Sequence, residues 1–86
     1  MHEMSLAMEI CRITEEQVGW DALPRVREVG VEVGVTSGIE PDALEFCLVA
    51  LLTQAPFMGA RVAMSTEDGD DLRVTYLEVD DDGPPN

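Results

Sequence analysis

His2 is the only histidine among the 86 residues, and it stands directly behind the amino-terminal Met1. An α-amino group has a pKa near ~8, and an imidazole one residue later can close chelate rings through itself and the intervening backbone nitrogen. Adding the amide of Glu3 completes four nitrogens. Nitrogen donors in a plane suit Ni(II) or Cu(II), and the general affinity order favours copper, so any selection of nickel has to come from supply or delivery. Taken by itself, the same histidine is an exposed side chain at a frayed terminus. Glu3 and Glu40 offer accessory oxygen donors, although Glu40 is more simply read as an acid at a helix N-terminus.

A helix starting a residue or two after His2 puts partial positive charge beside such a site, which at first sight repels a cation. Two deprotonated amides carry two negative charges, however, so the complex is nearly neutral and the dipole favours amide deprotonation. Other residues carry weaker chemistry. Glu67, Asp68, Asp70 and Asp71 form an acidic loop whose spacing is not that of an EF-hand, so a solvated turn is expected. Met1, Met4, Met8, Met58 and Met64 are soft donors by type, but thioethers at helical or strand spacing fill cores, and Met4 and Met8 are read as packing. One histidine, no paired Cys and His, and no phosphate-cradling loop leave no nucleophile with a base, so an enzyme is not expected.

The elements that must hold these residues belong to one small domain, because a chain of this size cannot support two cores. Hydrophobic residues make up 45% of it, so a folded body is expected despite a net charge of −13. Five Lys and Arg against 18 Asp and Glu leave no basic face for phosphates, and nucleic acid and anionic membrane are poor partners. Metal cations and basic protein surfaces fit better. The opening residues lack the pattern of a signal peptide and no segment reaches membrane-spanning length, so a cytoplasmic protein is expected. Cys11 and Cys47 lie in apolar helical stretches and are read as free buried thiols, with no disulfide or CxxC site.

Leu6, Ile10 and Ile13, with Ala7, Cys11 and Val18, recur at helical spacing over Ser5 to Val18, and Pro24 marks a connector after Gly19. Val29, Val31, Val33 and Val35 then alternate with Glu28, Gly30, Glu32 and Gly34, predicting a strand with a buried valine face and close backbone approach at the glycines. Pro41 opens a second helix running to about Thr53, apolar nearly all round and therefore expected to be covered on most sides. Ala60, Val62 and Met64 alternate in a second strand, and Leu72 to Val79 form a third, joined to it by a hairpin loop at residues 66–70. The prediction is a two-layer α+β fold of order α-β-α-β-β, with two helices on one face of a three-stranded sheet. If the first two strands are neighbours they run parallel; if the third lies between them, all contacts are antiparallel. Residues 1–80 form the domain, and 81–86 a solvated, disordered acidic tail.

In four blocks the chain resembles the HypA/HybF family of hydrogenase nickel-insertion proteins. These are the opening MHEMSL with its helix, then VEVGVTSGIEPDALEF, GARV and DDLRVTYLEVD, in the family's order. The resemblance implies a nickel metallochaperone, with Met1, His2 and Glu3 as the Ni(II) site and with a hydrogenase large subunit and a nickel-handling GTPase as partners. Members carry a zinc-binding insertion of two CxxC pairs between the second and third strands. Here that interval is Ser65 to Asp71, without a cysteine, so no zinc is expected. Gln54-Ala55 stands where the family usually has Gly-Thr, and Met58 where an acidic residue is common. The alternative reading is a zinc-less paralogue that docks maturation partners through the second helix and an exposed strand edge without carrying metal.

Overall fold

The computed structural model describes residues 2–80. Helix α1 spans Glu3–Val18 and Trp20–Arg25 forms a short 3-10 helix; strand β1 is Val26–Gly34, helix α2 Pro41–Leu52, strand β2 Arg61–Glu67 and strand β3 Leu72–Val79. The order is the expected α-β-α-β-β, and Pro41 occupies the start of α2, where its missing N–H and fixed φ cost nothing. Pro24 lies inside the 3-10 helix rather than in an irregular connector, and Ala22 and Leu23 there are buried.

The sheet has the order β2-β1-β3. Strand β1 pairs parallel with β2 and antiparallel with β3. Of the two arrangements left open by the sequence, neighbouring first and second strands is therefore the observed one. The expected hairpin between β2 and β3 is not formed, because the two strands flank β1 instead of each other. Their connection folds across the end of β1, where the Gly34 amide donates to Asp71 O at 2.7 Å, Val35 to Glu67 O at 2.8 Å and Thr36 to Gly69 O at 2.9 Å.

The core is built from three stripes. Leu44, Leu48 and Leu52 of α2 and Ala7, Ile10 and Thr14 of α1 are buried against Val29, Val31 and Val33 of β1. Thr14 tolerates this because its hydroxyl donates to the Ile10 carbonyl at 2.8 Å. Register shifts at Arg27 and Thr75 turn Val26 and Leu77 to the same side, as β-bulges do. On the opposite face, Glu28 lies across from Arg61 and Glu32 across from Arg73, and both pairs are ion-paired, at 3.1 and 2.5 Å.

Four expectations about burial are corrected. Strand β1 stops at Gly34, so Val35 lies beyond the sheet and is exposed. Met4 and Met8 do not pack inside, being 43% and 58% exposed, because the inward stripe of α1 is already filled by Ala7, Ile10 and Thr14. Met58 is exposed as well, whereas Met64 packs against the core. Helix α2 is covered on one side only, and Phe46 and Val49 face outward.

The glycines of β1 have unequal reasons. A Cβ at Gly34 would run into the backbone of Gly69, whereas one at Gly30 would meet the ring of Tyr76. Main chain cannot move aside, but a half-exposed ring can. Gly34→Ala is therefore expected to destabilise by about 1–3 kcal/mol and Gly30→Ala by clearly less, as measured by urea unfolding. Equal losses would show that the loop across β1 is not held as described.

Candidate metal centre

The two helices start together. The carboxylate of Glu3, at the first position of α1, accepts the backbone N–H of Glu40 at 3.2 Å, and Glu40 is the residue immediately before α2. At the other end, residues of the second half of α1 and the end of α2 line one groove, so the helices run side by side in the same direction. Both positive dipole ends thus lie at the place where the chain opens.

Of the three residues expected to bind nickel, Met1 lies outside the described residues. His2 is exposed, caps α1 with φ −94° and ψ 110°, and its side chain makes no capping hydrogen bond. The first helical bond runs from the Leu6 amide to the His2 carbonyl at 3.2 Å. The amides of Glu3, Met4 and Ser5 therefore precede the helical ladder, as the first amides of any helix do, and losing the Glu3 proton would break no intrahelical bond. A chelate through both the His2 and Glu3 nitrogens needs the torsion between them, His2 ψ, near zero. At 110° the two nitrogens point apart, so this pair closes on a metal only after the first turn readjusts.

Glu3 is the anchored member. Its carboxyl is held below the ordinary value of 4.5, first by the Glu40 amide and next by its own amide, with the charge of His2 adding a smaller contribution. The contact brings Glu3 and Glu40 together, the two residues read as accessory oxygen donors. Glu40 stands at the N-terminus of α2 as read from the sequence, and its side chain accepts no amide of that helix. Sequence reasoning did not find the amide contact, because it joins residues 37 positions apart. Among the described residues, no three His, Cys, Asp or Glu side chains cluster to hold a metal. A site here has to draw on backbone nitrogen as well as on His2 and Glu3.

The other chemical candidates lie apart from this corner. Cys11 and Cys47 are free and half-buried, and burial raises the Cys11 thiol above its ordinary range. Glu67 is partly engaged, facing Arg73 at 3.1 Å, while Asp68, Asp70 and Asp71 are exposed.

Comparison with known proteins places these residues in context. A family described as "Hydrogenase/urease nickel incorporation, metallochaperone, hypA" matches residues 1–70. The chain is 38% identical over 69 residues to "Hydrogenase maturation factor HypA" of Albidiferax ferrireducens, covering 80% of this chain and 61% of that protein. It is likewise 38% identical over 69 residues to the protein of the same name from Geobacter metallireducens, covering 80% and 60%. With the Azotobacter vinelandii protein it shares 39% over 62 residues, 72% of this chain and 55% of the other. The chain thus spans about three fifths of the length of the first two relatives.

The depressed Glu3 carboxyl makes a prediction with a definite sign. A folded-state value below the unfolded one stabilises at neutral pH, and that contribution is lost as pH falls through the folded value. A carboxyl-detected NMR titration should place Glu3 below 4.5, and the stability gap between wild type and Glu3→Gln should close on acidification. A gap that persists in acid would mean the carboxylate is not what the Glu40 amide holds.

Proposed function

Since the chain belongs to the HypA family of hydrogenase/urease nickel-incorporation metallochaperones, we propose that it carries one Ni(II) as cargo on Met1, His2 and Glu3. The observation that supports this most directly is the Glu3 to Glu40 contact. It anchors Glu3 where both helices start, giving the first turn one held point about which the torsion between His2 and Glu3 can readjust to close on a metal. The Met1 amine, the His2 amide and the His2 imidazole form fused chelate rings, and Glu3 completes the set. His2 has no competing capping bond to give up.

The surroundings suit a cation in transit. The whole chain carries a formal −13, which draws divalent ions toward it without chelating them. Chelation is then set by a few groups that must lose protons, and release follows when those protons return. In keeping with the family, delivery is toward a hydrogenase large subunit in the cytoplasm, with a nickel-handling GTPase as the second partner. No zinc enters this proposal, because the segment from Ser65 to Asp71 has no thiolate to offer.

Nickel titration of untagged protein should develop the absorption of planar Ni(II). His2→Ala, and a variant extended by one residue ahead of Met1, should both lose it. Affinity should rise by about tenfold or more per pH unit over the range where the amine and amide protons are displaced. Unchanged binding in either variant, or affinity flat with pH, would exclude the site.

A second reading, docking without metal, is favoured by one observation: Phe46 on α2 is 76% exposed, as a contact surface would leave it. Complementation separates the two. In a strain lacking this protein, the metal-carrying reading expects His2→Ala to fail in hydrogenase maturation and Phe46→Ser to retain nickel. Rescue by His2→Ala would establish the docking reading.

A further inference from the structure

At the end of the helix pair remote from His2, a groove of about 310 Å³ opens between α1, α2 and the 3-10 helix. Its floor is apolar: Leu23 and Phe57 are buried core residues and Leu51 packs against them. Its walls are Met8 and Trp20, which are 58% and 60% exposed. An exposed thioether and an exposed indole lining one apolar groove have the composition of a binding surface rather than of ordinary solvent-facing helix.

Charge says what fits it. The stretch of α1 beside the groove carries Glu9, Glu15 and Glu16 against Arg12 alone. Arg12 is already held by Glu9 and Glu16, and its guanidinium is more firmly protonated for that. Three acids against one base leave two negative charges there, while Asp21 and Arg25 of the 3-10 helix offset one another. A second copy of this chain, itself at −13, is repelled by such a rim.

We propose that this groove is a docking site for a basic segment of a partner protein, which seats a large apolar side chain between Met8 and Trp20 and places Lys or Arg beside Glu15 and Glu16. Glu3 and Glu15 are 12 residues apart on one helix, about 18 Å. Met8, the groove residue nearest the terminus, is five residues from Glu3, about 7.5 Å along the helix, so the groove runs along α1 from near the amino-terminal corner toward its far end.

Trp20 is the only tryptophan in the chain, so its emission reads the groove directly. Three synthetic peptides of equal length serve as probes: a Lys/Leu amphipathic peptide, a Glu/Leu counterpart and a Lys/Ser peptide without apolar side chains. The Lys/Leu peptide should shift Trp20 emission to shorter wavelength saturably, with weaker binding as salt rises. The other two should bind far less. Met8→Asp is the deciding variant, because it makes the surface more acidic while spoiling the apolar wall. Groove docking predicts about tenfold weaker binding; simple attraction between opposite charges predicts tighter binding, which would overturn the proposal. Glu15→Lys, set beside Asp68→Lys as the same charge change on an exposed residue outside the groove, should weaken the Lys/Leu peptide severalfold while Asp68→Lys does not, keeping the test decisive if Met8→Asp is poorly folded; equal weakening by the two would refute groove docking. Equal binding of the Glu/Leu or Lys/Ser peptide, or a Trp20 shift that follows protein concentration without peptide, would likewise refute it. Nickel absorption is read separately, so failure here leaves the metal proposal standing.

Discussion

The Glu40 amide donating to the Glu3 carboxylate joins the beginnings of both helices, and the metal chemistry proposed for the amino terminus depends on that joint. The contact exists because of packing lower down. A row of valines on β1 has to be covered, and the leucine row of α2 and the Ala7, Ile10, Thr14 row of α1 cover it from the same side. Both helices consequently start at one corner. Glu3 and Glu40, 37 residues apart in the chain, meet there, so the first turn of α1 is tied to a residue outside its own helix.

The distribution of positive charge follows the same economy. Arg61 and Arg73 lie in register across from Glu28 and Glu32 on the face away from the helices, Arg27 pairs with Asp80, and Arg12 with Glu9 and Glu16. Each of these exposed pairs is screened by solvent and contributes little to stability. Their larger consequence is that most arginines are spent within the fold, and the remaining acidic charge faces outward. That field suits a metal cation at one end of α1 and a basic partner at the other. No helix among the described residues is long and apolar enough to cross a membrane.

The helices and strands were legible because their signals are local. The alternating valines of β1 and the proline that opens α2 mark their elements within a few residues. Strand order was not legible, since an α-β-α-β-β chain can place its last strand beside either earlier one. The short acidic connection looked like a hairpin, and only the structure shows it tied across β1 by Gly34 and Thr36. Met4 and Met8 misled for a related reason. Helical spacing shows that residues share a face but not which face wins the core, and here smaller side chains won. The donor types at the terminus were readable, and the resemblance supplied their meaning. What positions them was not readable, because a backbone amide at Glu40 leaves no mark in composition or periodicity.

On the proposed function, nickel binds at the joint of the two helices and not at the acidic connection across β1. A nickel titration followed by backbone amide NMR locates it. The strongest changes should gather at Glu3, Met4 and Glu40, with Asp68 to Asp71 nearly unaffected. Changes centred on Asp68 to Asp71, with Glu40 unmoved, would contradict it.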